Sequence, residues 1–113
     1  MLRFNSDHKF KIMQIADTQE IPAVSPDTLS LINNALDREK PDLVIFTGDQ
    51  IKGYSKKFKK DPVIIESTID ILVEPIAKRN IPFMVTYGNH DAQCGVDNRG
   101  QYKFYAKYDN FIS

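Results

Sequence analysis

The chain has 113 residues, fifteen basic and fifteen acidic, for a formal net charge of zero, and its hydrophobic share of 42% is ordinary for a soluble globular protein. Such a length allows at most one modest domain, and the charge balance argues against a dedicated nucleic-acid binder, which would carry a strong basic excess. The single cysteine, Cys94, excludes an intrachain disulfide and fits a reducing compartment; with no signal-peptide pattern and no apolar run near the roughly 20 residues of a membrane helix, the expectation is a soluble, cytoplasmic protein without membrane partners.

Residues 10–16 form an apolar run that leads into Asp17-Thr18-Gln19 and reads as a first strand. Ser25-Pro26 is a helix start, serine as N-cap and proline at the first helical position, with Leu29, Ile32 and Leu36 following on one face. Residues 42–47 are nearly all apolar, as a strand buried on both faces requires, and lead into Gly48-Asp49-Gln50. Residues 52–60 read as a basic loop, with Tyr54 and Phe58 between five lysines. Asp61-Pro62 opens a second helix, with Ile65, Ile69, Leu72 and Ile76 as its buried stripe, reaching about Arg79 and kinked or unwound near Pro75. Residues 82–87 form a third strand that leads into Gly88-Asn89-His90-Asp91. Residues 92–100 read as a polar loop and residues 101–112 as an aromatic-rich final helix.

Strand and helix alternate, so the fold class is α/β, a βαβαβ unit with parallel strands and right-handed crossovers. Ligands of such sheets sit at the carboxyl ends of the strands. Asp17, Gln19, Asp49, Asn89 and His90 all fall there and should share one rim. Asp17 and Gln19, two residues apart in extended backbone, point the same way. A lone strand-end aspartate is more often a turn former than a ligand, but three consecutive strands ending in carboxylate, amide and imidazole groups make a metal-binding set suited to Mn, Fe, Zn or Mg.

Asp17-Thr18-Gln19, Gly48-Asp49 and Gly88-Asn89-His90-Asp91, in this order, resemble the first three motifs of the calcineurin-like metallophosphoesterases, a family that includes purple acid phosphatases, and the likeness runs from about Phe10 to Asp91. The resemblance implies a four-layer α/β/β/α sandwich, with residues 1–113 a single partial domain supplying its first half. It further implies hydrolysis of phosphomonoesters or phosphodiesters by a two-metal centre (Mn, Fe or Zn) and a metal-bound hydroxide. On that pattern Asp17 and Gln19 bind the first metal, Asp49 bridges the pair and Asn89 binds the second. His90 contacts the phosphoryl group or protonates the leaving oxygen, and Asp91 orients the imidazole. Histidine suits proton donation because its ordinary titration range lies near neutral pH.

Two departures are visible. Gln19 stands where most members have histidine, and the family's later histidines, including a Gly-His-x-His motif, have no counterpart here, because His8 and His90 are the only two histidines. His8 lies in a polar stretch and reads as a surface residue. The centre encoded by these residues is half a site, and three strands would leave one sheet face uncovered. The chain then reads as a truncated or proteolytic piece of a longer protein, or as one that self-associates through that face. A catalytically incomplete module binding metal or phosphate is the alternative to a hydrolase. Arg99 is a candidate phosphate clamp, weighed evenly against an ordinary surface arginine. The lysines of residues 52–60 are either a basic lip for phosphorylated substrates or, the favoured reading, a solvated loop. Cys94 has no second histidine to activate it and is not a catalytic thiol.

Overall fold

The computed structural model describes residues 2–112. Its elements run β1 (Ile12–Ile15), α1 (Pro26–Glu39), β2 (Leu43–Thr47), α2 (Pro62–Ala77), β3 (Phe83–Thr86) and α3 (Asn98–Ala106), with 3₁₀ turns at Lys56–Phe58 and Asp91–Cys94. The expected α/β arrangement is present: a three-stranded sheet of order β1-β2-β3, parallel throughout, pairing Met13 with Val44 and Val44 with Phe83.

Both helix starts form as the sequence predicts. The Ser25 hydroxyl accepts the Asp27 N–H at 3.3 Å and the Asp61 carboxylate accepts the Val63 N–H at 2.9 Å, satisfying amide groups that a first helical turn leaves free. Because both crossovers move one strand over in the same direction, right-handed connections place α1 and α2 on one face of the sheet. There Val44, Phe46 and Phe83 meet Ile32 and Leu36 from α1 and Ile65, Ile69, Leu72 and Ile76 from α2, all buried. Each such side chain contributes about 1.5–3 kcal/mol of burial free energy. Arg79 ties the two helices together, its guanidinium donating to Asp37 Oδ1, Asn33 Oδ1 and the Pro75 carbonyl.

Two expectations need correction. α2 passes through Pro75 and ends at Ala77, giving way to a turn at residues 78–80 short of the expected end at about Arg79. Proline offers no N–H to the Ile71 carbonyl, and Ile71 lies on the exposed side of the helix. The last helix begins at Asn98 and ends at Ala106, where residues 101–112 were expected. Asp97 caps it by accepting the Gly100 N–H at 2.8 Å. The chain then leaves the helix to pair with β3, Phe83 donating to the Asn110 carbonyl at 3.0 Å and Ile112 to the Phe83 carbonyl at 2.8 Å. That pairing lays Phe111 against the edge of β3.

Along the strands the residues alternating with the core set are Ile12, Gln14, Leu43, Ile45, Thr47, Met84 and Thr86, and of these only Leu43, at the start of β2, is buried. Ile12 is 55% exposed, while Ile45 and Met84 are half-buried. The uncovered face expected from the strand count is therefore present, with Gln14 and Thr47 hydrogen-bonded across it at 3.0 Å.

Candidate functional site

Past the last residue of β1 the chain keeps the company of β2. Asp17 N donates to the Gly48 carbonyl, Gln19 N to the Asp49 carbonyl and Glu20 N to the Gln50 carbonyl, at 3.2, 2.9 and 3.1 Å. Thr18 turns inward and its hydroxyl donates to the Gln50 carbonyl at 2.7 Å, so Asp17 and Gln19 on either side stand exposed. The two loops are thus laced into one surface at the carboxyl ends of the strands. Asp17, Gln19 and Asp49 all have left-handed backbone, with φ of 52, 43 and 53°. Non-glycine residues so placed carry about 1–3 kcal/mol of strain each and concentrate at functional sites. Glu20, missed in the sequence, anchors the first loop from beneath: its buried carboxylate accepts the Ser25 N–H and the Thr28 hydroxyl.

The β2 and β3 loops press together. Asp49 Oδ1 accepts the His90 N–H at 2.9 Å. A Cβ at position 88 would fall 2.1 Å from the same Asp49 Oδ1, so only glycine allows the approach. Replacing Gly88 by alanine is expected to destabilise the chain by about 1–3 kcal/mol, because the loops must part. A urea titration checks this, and an unchanged midpoint would contradict the close packing.

Asp91 does a different job from the one the motif implies. It is fully buried, and its carboxylate accepts the N–H groups of Asp49 and Gly88, both at 2.8 Å, and of Ile51 at 3.2 Å. With its oxygens directed at the backbone, Asp91 clamps the β2 and β3 loops together and does not orient the imidazole. His90 Nδ1 lies 2.9 Å from Gln93 Oε1, and the Tyr54 ring meets the imidazole edge-on at 5.1 Å between centroids. Gln93 carried no sequence signal and Tyr54 only its place among the lysines, since each reaches His90 from a loop whose path the tertiary fold sets. Burial raises the Asp91 carboxyl above its usual range and the nearby Asp49 charge adds to this, while the three backbone donors pull it back.

Gln50 and Gln101 brace this arrangement from inside. Gln50 accepts the Gly48 N–H at 2.6 Å and donates to the Thr86 carbonyl, and Gln101, fully buried in α3, donates to the Asp91 carbonyl at 2.6 Å. Cys94 sits beside them, 2% exposed, its thiol donating to the Asp91 carbonyl at 3.3 Å. Burial pushes that thiol upward and so away from the reactive thiolate. Alkylation by iodoacetamide at neutral pH is expected to be at least 10-fold slower in the folded chain than in urea, as mass spectrometry would show; equal rates would contradict the burial. Arg99 is exposed in the first turn of α3 and forms no ion pair or side-chain hydrogen bond among the described residues. His8 is exposed in an N-terminal turn, donating its N–H to the Asn5 carbonyl at 2.8 Å, as a surface reading requires.

The donors on the rim are two carboxylates, Asp17 and Asp49, and two amides, Gln19 and Asn89. Oxygen donors of this kind suit hard divalent cations. Asp49 uses Oδ1 for the His90 amide, and among the described residues Oδ2 takes no protein donor, leaving it free for a cation. Yet no three His, Cys, Asp or Glu side chains gather as a metal-holding group among the described residues. The chain's donors fit part of a metal centre and do not complete one.

The calcineurin-like phosphoesterase model matches residues 10–113. A protein of Arabidopsis thaliana described as probable inactive purple acid phosphatase 14 is 28% identical, aligned over 99% of this chain and 31% of its own length. Phosphatase DCR2 of Saccharomyces cerevisiae is 33% identical over 80% of this chain and 17% of its own length. A solved crystal structure superposes with a TM-score of 0.60 at 17% identity, covering 90% of this chain and 45% of the other. The chain spans less than a third of the length of these curated relatives.

Proposed function

The chain belongs to the calcineurin-like phosphoesterase family, and from that premise we propose that it contributes the first donor set of a metal-dependent hydrolase of phosphoric esters. The observation that carries the reading is the laced rim: Asp17, Gln19 and Asp49 in strained backbone, beside Asn89 and His90 on a loop bonded to Asp49. Members of the family generally use a dinuclear metal centre; when bound, such a centre neutralises charge on phosphoryl oxygens and acidifies a water. Asp17, Asp49, Gln19 and Asn89 would hold the metal on this side, and donors outside these residues would complete it.

The protein's own groups supply the remaining work. His90 is fixed by three neighbours: its amide by Asp49, its Nδ1 by Gln93 and its ring edge by Tyr54. That leaves Nε2 to hold a proton for the leaving oxygen or to donate to a phosphoryl oxygen. Asp91 keeps the Asp49 and His90 loops in register, so the two groups act on one substrate atom set.

Metal binding tests the reading. Mn²⁺ titrated into the chain and followed by electron paramagnetic resonance is expected to show a bound population that falls at least 10-fold in the Asp17→Asn/Asp49→Asn double variant. Equal binding by both proteins would sink the assignment of these donors.

A second reading is a non-catalytic module that binds metal or phosphate, or self-associates through the sheet face carrying Ile12, Ile45 and Met84. The incomplete donor group and relatives described as inactive purple acid phosphatases favour it. Mn²⁺ binding without phosphoester turnover under any supply of completing donors would select it.

A further inference from the structure

Beside His90 the loop after β2 forms a pocket of about 350 Å³, walled by Tyr54, Ser55, Lys56, Lys59, Lys60 and Gln93. We infer that this pocket binds a second phosphate group of the substrate, on the leaving-group side of the scissile ester, and so selects small molecules bearing two phosphates. The inference rests on the hydrolase reading for the words scissile and leaving group; the anion site itself does not.

Its walls are the same residues that hold His90. Tyr54 packs on the imidazole and Gln93 bonds it. Gly53, between Lys52 and Tyr54, lies so close that a Cβ there would fall 2.0 Å from the His90 carbonyl oxygen. The basic loop is therefore locked to the His90 loop, and an anion held in the pocket has a defined position relative to the imidazole.

The charge is one-sided. Lys56, Lys59 and Lys60 line the pocket, no acidic side chain does, and none of the three forms an ion pair among the described residues. Asp61, the next residue, turns its carboxylate to the Val63 N–H as the cap of α2. Lys59 and Lys60 are consecutive left-handed residues, φ 54 and 50°, and the Lys60 stem lies over Gly95 on the far side. Lys59 closes the 3₁₀ turn as its cap, its N–H donating to the Lys56 carbonyl at 3.1 Å, which fixes the backbone that carries the lysines. Three like-charged lysines on one pocket favour an anion there, and a phosphate dianion with its acceptor oxygens is the small group that matches them. A monoester with an apolar leaving group would leave the pocket's charges unmet.

The test uses metal-free, chelator-treated chain, calorimetric titration with pyrophosphate and with inorganic phosphate, and ¹⁵N-resolved NMR on the same samples. Pyrophosphate is expected to bind at least 5-fold tighter than phosphate, to weaken with added salt, and to shift the amides of Tyr54, Lys59, Lys60 and Gln93. In the Lys56→Gln/Lys59→Gln/Lys60→Gln variant, whose changes are all on exposed side chains, pyrophosphate affinity is expected to fall at least 10-fold with an unchanged thermal midpoint. Undiminished affinity in the variant, or shifts confined to other surfaces, would overturn the site. No metal or turnover enters these measurements, so their failure leaves the hydrolase reading standing, and loss of the Mn²⁺ result leaves the pocket standing.

Discussion

Asp91→Ala is expected to destabilise the chain by about 3–5 kcal/mol, a large share of the roughly 5–15 kcal/mol by which small domains are stable. Three backbone N–H groups lose their acceptor at once, that of Ile51 buried and those of Asp49 and Gly88 half-buried. Each orphaned buried donor costs about 1–3 kcal/mol, and relief from desolvating the carboxylate returns part of the sum. Asp91→Asn should fall between. Oδ2 serves both Asp49 and Gly88, so an amide oxygen placed there keeps two bonds while the new NH₂ faces the Ile51 N–H. A loss of about 1–3 kcal/mol follows. Urea titrations of the three proteins check the series. If alanine proved as stable as wild type, the clamp would be dispensable and the loops would be held by other contacts. If asparagine matched wild type while alanine did not, the shape of the group would matter more than its second acceptor.

Asp49→Asn is expected to have the largest effect on chemistry. The substitution keeps the side-chain shape and an oxygen able to accept the His90 N–H, but removes one negative charge from the metal-binding rim. At about 4 Å and an effective dielectric of about 20, one unit charge is worth about 4 kcal/mol, which corresponds to a roughly 10³-fold fall in turnover. Hydrolysis of bis(p-nitrophenyl) phosphate with added Mn²⁺ is the assay. It is read in a preparation that includes the completing donors, with the 113-residue chain alone beside it. The chain alone is expected to stay at the uncatalysed rate, because two carboxylates and two amides are all that its rim offers to a metal. Turnover by the chain alone that Asp49→Asn abolishes would show that this donor set suffices. Turnover indifferent to Asp49 in the complete preparation would remove the residue from the centre.

The sequence by itself determined the order and kind of the elements, the parallel sheet, and which residues end the strands. Those follow from local rules: apolar runs of strand length, Ser25-Pro26 and Asp61-Pro62 as helix starts, and a polar cluster after each run. The family was legible for the same reason, because its motifs are short, contiguous and carried by strand ends. What the tertiary structure decided was how those side chains are used. Nothing local says that the Asp91 carboxylate points at the amides of residues about forty positions earlier, since that depends on how tightly the β2 and β3 loops close over Gly88. The same holds for Gln93 and Tyr54 beside His90, and for Glu20 and Gln101 beneath the rim. The end of α3 was misread because the aromatic stripe fits a helix, and only the free edge of β3 draws Phe111 away from it. Periodicity and capping are local and survive in one dimension; hydrogen-bond partners across loops, and the strained backbone that presents Asp17, Gln19 and Asp49, exist only once the strands stand side by side.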